Sequence, residues 1–381
     1  MELAKYKLGD IVTLLNGRAY LMPELQDSGK YRILRVGNLS GGNDSWYYSD
    51  MELDENKYCE NGDLLYAWAC NFGPHIWREE KVIYHYHIWK LVENKEKVDR
   101  TYLYYYLLHQ TPFYLGGVNG ATMVHITKKN MEKKTVYIPS SLNVQHRIAS
   151  ILSTYDSLIE NNTKRIRLLE KMVENLYKEW FVRFRFPGHE NVEMENGLPK
   201  GWTVEKVKDW CRVFTGRKDV NQTVEGGKYA FFSCSPDMFH SDEYIYDGKA
   251  VLIAGNGSYT GRTRYFEGKF DLYQRTYAVV SDRPDDDFMF YLFLRFKYDF
   301  EPLHNGGTRG SAIPYIVMKD ITKYKFLYDT DIVKCYTERV KPMFDEIDNL
   351  QHQNSLLARQ RDLLLPRLMS GKLEVKEELL E

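Results

Sequence analysis

The sequence predicts an α+β protein written twice: two mixed α/β domains, each followed by a long helix, with the two helices pairing antiparallel as a coiled coil. Three observations carry that. In two long stretches, residues 143–185 and 332–369, apolar residues recur at alternating steps of three and four. Every seam position of the second stretch lies 188 residues after its counterpart in the first. The blocks between these stretches carry strand-like runs separated by turn residues.

Taken in order, the first block spans residues 1–141. Gly62-Asp-Leu-Leu-Tyr66 and residues 84–89 have β composition, and 102–109, dominated by Leu and Tyr without alternation, reads as a short helix. A glycine-rich turn at 116–120, the segment 121–131 and an alternating strand at 135–138 close the block. The helix at 142–186 follows, with Ile159, Asn162, Ile166, Leu169, Val173, Leu176 and Trp180 on its seam. Two prolines, two glycines and an acidic bias make 187–200 a linker.

The second block, 201–330, repeats the first. Thr215-Gly-Arg217 parallels Asn16-Gly-Arg18, Gly248-Lys-Ala-Val-Leu252 parallels 62–66, and 311–321 parallels 121–131. A β run at 276–280, a short helix at 288–296 and a strand at 325–328 complete it. The second helix, 331–375, carries Ile347, Leu350, Asn354, Leu357, Arg361, Leu364 and Leu368 on its seam. Asn162, Asn354 and Arg361 are polar intruders that fix register at some cost in stability. Pro366 is expected to kink this helix or end it near Leu365.

Composition excludes several classes. With 43% apolar and 28% charged residues the chain buries ordinary cores. The longest apolar stretch, 288–296 with Arg295 inside it, falls far short of the ~20 residues of a membrane helix. MELAKYKLGD has no apolar run behind a basic start, so no signal peptide and no membrane partner are expected. Five scattered cysteines, never spaced CxxC, argue against a disulfide framework or a Cys-type zinc site and point to the cytoplasm. His85 and His87 fall on one face of the expected 84–89 strand without an acid or Cys at metal spacing, which makes them structural and leaves no metal site. There is no GxGxxG, no GxxxxGK[ST] and no Ser-His-Asp or Cys-His signature, so no catalytic residue is assigned. Gly255-Asn-Gly-Ser-Tyr-Thr-Gly-Arg262 reads either as a plain turn or as a loop offering N–H groups to a phosphate.

A net charge of −1 advertises no bulk basic field. Local contrast is strong, however: residues 101–150 hold Lys128, Lys129, Lys133, Lys134 and Arg147 against Glu132 alone. Loops that mix Gly, Asn or Thr with Lys or Arg suit phosphate contact together with base-edge bonds. On that ground Lys128, Lys129, Arg309 and Lys319 are expected on phosphates. Arg18, Tyr20, Asn38, Trp68, Asn71, Asn119, Thr122, Arg217, Asn256, Tyr259, Arg262 and Arg264 are expected on base edges or stacked on bases. Arg35, Lys218 and Thr308 complete the DNA-binding set. The 30 tyrosines then divide between core and recognition surface.

Over nearly its full length the chain resembles the specificity (S) subunit of type I restriction–modification enzymes. The residues that carry this are Tyr6-Lys-Leu-Gly-Asp-Ile-Val12, Leu198-Pro-Lys-Gly-Trp-Thr-Val-Glu-Lys-Val207, and Gln145 ahead of His146-Arg-Ile-Ala-Ser-Ile-Leu152. Ile159-Glu-Asn-Asn-Thr-Lys-Arg-Ile-Arg-Leu-Leu-Glu170 and Leu363-Leu-Leu-Pro-Arg-Leu-Met-Ser-Gly-Lys-Leu373 add to them. The resemblance implies two target-recognition domains related by a pseudo-two-fold internal repeat, each reading half of a bipartite target in double-stranded DNA. It also implies helices that measure the gap and dock two methyltransferase (M) subunits, to which restriction (R) subunits add. Such a subunit is non-catalytic and binds no cofactor itself; S-adenosylmethionine, ATP and Mg belong to its partners. Two rivals remain at this stage, the specificity subunit of a type IIB-like system and a non-DNA coiled-coil adaptor. The resemblance transfers no base-reading residue, because recognition domains vary widely within that family.

Overall fold

The computed structural model describes residues 2–39, 45–115, 126–281, 283, 286–304 and 314–375. In chain order the first half runs β1 (Leu3–Lys7), β2 (Val12–Asn16), β3 (Tyr31–Leu34), α1 (Val36–Leu39), β4 (Tyr47–Ser49), β5 (Tyr58–Cys59), β6 (Leu64–Ala67), β7 (Gly73–Ile76), β8 (Val82–Tyr84), β9 (Ile88–Glu93), α2 (Arg100–Leu115), α3 (Lys128–Glu132), β10 (Thr135–Pro139) and α4 (Leu142–Tyr177). A hairpin, β11 (Met194–Glu195) and β12 (Leu198–Pro199), lies between the halves. The second half runs β13 (Thr203–Lys206), α5 (Val207–Trp210), β14 (Arg212–Thr215), β15 (Tyr229–Phe232), β16 (Met238–Ser241), β17 (Tyr246–Ala254), β18 (Thr263–Leu272), β19 (Thr276–Val280), α6 (Asp286–Arg295), α7 (Glu301–His304), α8 (Met318–Thr322), β20 (Lys325–Tyr328) and α9 (Thr330–Met369).

The internal repeat holds strand by strand. Antiparallel β1·β10 recurs as β13·β20, β2·β9 as β14·β19, β6·β9 as β17·β19, and β6·β7 as β17·β18. The parallel pair β3·β8 recurs as β15·β18, and β3·β4 as β15·β16. One difference is instructive. The ten-residue β18 does alone what β7 and β8 do separately, and the nine-residue β17 what β5 and β6 do, so one six-stranded sheet in the second half corresponds to two four-stranded sheets in the first. Leu64, Leu65, Tyr66 and Ala67 of β6 are all buried, as are Ala250–Ala254 of β17, which is why these central strands read as unbroken apolar runs.

Two compact units result, Met1–Thr163 with His352–Glu381, and Lys164–Gln351, so each long helix is shared between them. In the first unit Asp156 meets Arg361 at 2.5 Å and Thr163 meets Asn354 at 3.4 Å, an antiparallel pairing of α4 with α9. In the second unit Arg165 meets Glu346 at 2.7 Å and the Tyr336 hydroxyl donates to Val173 O at 3.3 Å, antiparallel again. Among the seam positions Asn162, Val173, Trp180, Ile347, Leu350 and Leu368 are buried, and Ile159, Ile166, Leu169, Leu176, Asn354, Leu357, Arg361 and Leu364 half-buried. The off-seam Leu158, Leu168, Leu356 and Leu363 stand in the solvent.

Three local expectations change. The first helix does not run as α-helix to 185: it passes into a π turn at Lys178–Val182, whose wider winding buries Trp180 and Phe181 together. The second does not stop near Leu365. It continues through Pro366 to Met369, because Leu365, Leu368 and Met369 pack into the first unit's core and hold the last turn, with Ser370 N–H bonding to Pro366 O at 3.1 Å. Residues 84–89 are not one strand. His85, Tyr86 and His87 form a turn between β8 and β9, which belong to different sheets. The core claims many tyrosines: Tyr66, Tyr84, Tyr102, Tyr105, Tyr177, Tyr291 and Tyr336 are fully buried.

Candidate nucleic-acid interface

Two glycines build the site in the two halves. A Cβ on Gly17 would stand 2.4 Å from the carbonyl oxygens of Tyr84 and His85; one on Gly216 would stand 1.8 Å from Leu272 O. Only glycine lets the chain leaving β2 or β14 come this close to a neighbouring strand end. The result is the same gathering in each unit. The ends of β2, β3 and β6 meet the β8–β9 turn through Asn16↔Trp89, Leu34↔Tyr84 and Ala67↔Ile88. The ends of β14, β15 and β17 meet the β18–β19 turn through Thr215↔Tyr277, Phe232↔Leu272 and Ala254↔Thr276.

In the first unit the gathered residues are Arg18, Tyr20, Arg35, Asn38, Trp68 and Asn71. Arg18 is engaged internally: its fork grips Glu24 at 2.6 and 3.1 Å and lies 5.2 Å from the Tyr20 ring. The hydrogen bond with Glu24 raises the Arg18 pKa and lowers that of Glu24. Tyr20 is half-buried, and burial pushes its phenol up. Arg35 lies over the Tyr47 ring at 4.4 Å and donates to Ser45 O at 3.2 Å. Asn38 accepts from Arg35 N at 3.1 Å and donates to Ser45 O at 3.1 Å, so it shapes the loop. Trp68 stacks on Trp89 with ring centres 5.7 Å apart and donates from Nε1 to Tyr86 O at 2.8 Å. Asn71 is exposed. Lys128 and Lys129 stand on α3, whose Glu132 packs against Gly9 at the far end of β2 from Arg18; Lys128 also pairs with Glu132 at 3.7 Å.

The His85–Tyr86–His87 turn belongs to this gathering, where the sequence reading had placed only a structural strand. The His87 ring lies 5.0 Å from Trp68 and 4.8 Å from His85. Burial, then the nearby His87 and Arg35, pushes the His85 pKa down to about 4, so its ring is neutral near pH 7.

In the second unit Arg217 is exposed, whereas Lys218 is held by Asp271 at 2.7 Å and Glu243 at 2.9 Å. Asn256 accepts from the Cys234 thiol at 3.2 Å, and Arg262 lies 5.8 Å from the exposed Tyr259 ring. Arg264 covers Phe232 at 5.0 Å and donates to Pro236 O; burial and the adjacent Arg262 lower its pKa. Arg262 and Arg264 face a shallow recess with Ser233, Cys234 and Ser235. Lys319 is exposed on α8, three residues past Ile316, whose N–H bonds to Gly255 O. In the loop 255–262 the N–H groups of Gly255, Gly257, Thr260, Gly261 and Arg262 bond to backbone carbonyls, as in a plain turn. Asn119, Thr122, Thr308 and Arg309 lie outside the described residues.

Among the described residues no group of His, Cys, Asp and Glu is arranged to hold a metal, and no helix is long and apolar enough to cross a membrane. The arrangement offers exposed polar and aromatic side chains on rigid strand ends, a geometry for recognition.

A model of the type I restriction modification DNA specificity domain matches residues 2–171 and again 199–327. The type I restriction enzyme MjaIX specificity subunit of Methanocaldococcus jannaschii is 28% identical over 310 residues, covering 74% of this chain and 71% of its own length. The EcoDI specificity subunit of Escherichia coli is 28% identical over 181 residues, 46% of this chain and 39% of that protein. The fold is similar to the crystal structure of a type I restriction-modification system S subunit from M. genitalium, with TM-score 0.66 and 16% identity over 97% of this chain and 96% of that one.

Proposed function

Because the chain belongs to the family of type I restriction modification DNA specificity domains, we propose that its two repeats read the two halves of a bipartite target in double-stranded DNA. The observation that supports this most is that the same strand ends gather in both repeats yet carry different side chains. Residues 1–141 and 201–330 act as recognition domains joined by the linker 187–200, and the helices at 142–186 and 331–375 set the gap. Arg217, Tyr259, Arg262, Asn71 and Lys319 are exposed or half-buried and free to approach DNA from the protein side. Arg18 and Lys218 act indirectly, by holding the loops that carry their neighbours.

The chain itself performs no chemistry. Two M subunits dock on the helices and methylate adenine with S-adenosylmethionine, and R subunits supply ATP- and Mg-dependent cleavage, all in the cytoplasm. Sharing the grip on DNA with these partners explains how a chain of net charge −1 reads sequence. Methylome sequencing of the host with and without this gene tests the proposal. Loss of one bipartite methylated motif on deletion supports it; an unchanged methylome refutes it.

A further inference from the structure

Both repeats hold the same tight turn at the same place, and its corner residues differ. Ile88 N–H donates to His85 O at 3.0 Å, and Thr276 N–H donates to Tyr273 O at 2.9 Å. Each turn joins the strand segment that runs parallel to β3 or β15 to the strand that pairs with β2 or β14. Each is bridged by the chain that has just passed a crowded glycine, Arg18 to His85 and Lys218 to Tyr273. Backbone bonds lock the corners: Tyr86 N to Arg18 O at 3.0 Å, Gln274 N to Lys218 O at 3.0 Å, and Tyr273 N to Phe232 O at 3.0 Å.

On this shared scaffold the first repeat presents Tyr86 and His87, the second Gln274 and Arg275. Tyr86, Gln274 and Arg275 are exposed. Arg275 makes no ion pair among the described residues, in contrast to Arg18 and Lys218, and it lines a cavity of about 310 Å³ with Asn256, Tyr315 and Val317. Among the described residues the Gln274 amide has a single long bond, to Asp219 at 3.4 Å. Arginine and glutamine are the side chains whose paired bonds fit guanine and adenine edges in the major groove. Tyr86 and His87, with rings 4.0 Å apart, offer stacking and a single imidazole bond instead.

Resting on the DNA reading proposed above, we infer that these two turns are specificity-determining: Gln274 and Arg275 select purines in one half of the target, and Tyr86 and His87 select in the other. The test is methylome sequencing of a host expressing the full chain with its modification partner, as wild type, Arg275→Ala, Gln274→Ala and the double variant Tyr86→Gln/His87→Arg. Arg275→Ala or Gln274→Ala should relax one position of one half, lowering discrimination there roughly 5- to 150-fold, with the other half unchanged. The double variant should alter the opposite half alone. If Arg275→Ala abolishes methylation, Arg275→Lys, which keeps charge but not the fork, decides: a relaxed position supports the assignment. A wild-type motif retained by every methylating variant overturns it. A wild-type chain that directs no bipartite motif at all refutes the DNA reading itself, which is a different outcome.

Discussion

Gln145, fully buried in the first turns of α4, ties that helix to its recognition domain by three side-chain bonds. Its amide donates to Pro139 O at 2.8 Å and Lys97 O at 3.0 Å, and its carbonyl accepts from Asp99 N at 2.9 Å. Gln145→Ala removes all three and leaves two carbonyls and one N–H without partners. At about 1 kcal/mol per bond this amounts to about 3 kcal/mol. The space left by the truncated side chain adds about 1 kcal/mol. For a unit of this size the sum corresponds to a drop in Tm of roughly 8–16 °C. Differential scanning calorimetry of the full chain reads it. Gln145→Glu keeps the acceptor for Asp99 N but turns a carboxylate toward two carbonyls, so it too destabilises near pH 7. Part of that loss is regained as pH falls and the carboxyl protonates into a donor. A Tm within about 3 °C of wild type for Gln145→Ala would refute the reasoning.

Four further outcomes follow from the same geometry. Gly216→Ala, which places a Cβ 1.8 Å from Leu272 O, should lower Tm more than Gly17→Ala, whose nearest atoms stand at 2.4 Å, and parallel melts of the two variants decide. Arg361→Ala leaves Asp156 with Tyr105 as its remaining partner and should cost about 1–3 kcal/mol, whereas the pair replaced together by Leu and Ala should cost less than the two single changes added, as a double-mutant cycle in urea would show. His85 is held below its unfolded pKa, so the folded state takes up its proton later. Stability should therefore fall as pH drops from about 6.5 toward about 4, by up to about 1.4 kcal/mol per pH unit, and His85→Tyr should flatten that limb of a pH–Tm profile. Inserting four residues within 165–174, with a matching insertion in 337–346, lengthens the helix pair by about 6 Å. The gap in the methylated motif should then grow by about two base pairs, at ~3.4 Å each.

The repeat was legible in the sequence because a coiled-coil seam keeps its apolar spacing even when little else is kept: Leu168-Leu169 and Leu356-Leu357 sit at the same offset as Asn161 and Asn349. The Asn16-Gly-Arg18 and Thr215-Gly-Arg217 correspondence was visible too, but its reason, a backbone passing within van der Waals contact of another strand end, is tertiary. Residues 84–89 misled for the same cause. Alternating Tyr and His matches a strand, and only the chain leaving Gly17 breaks it into a turn. The engagement of Arg18 and Lys218 was hidden because Glu24, Asp271 and Glu243 come to them through the fold. Pro366 carries a helix-stopping preference worth ~3 kcal/mol, yet three buried apolar side chains on the same turn outweigh it.

That each repeat reads its own half-target is tested most directly by exchange. Residues 201–329 are replaced by the corresponding block of a family member that directs a different motif, and the host methylome is sequenced. The expected result is a hybrid motif with one half new, the other half unchanged and the gap preserved. A motif altered in both halves, or in neither, would contradict it.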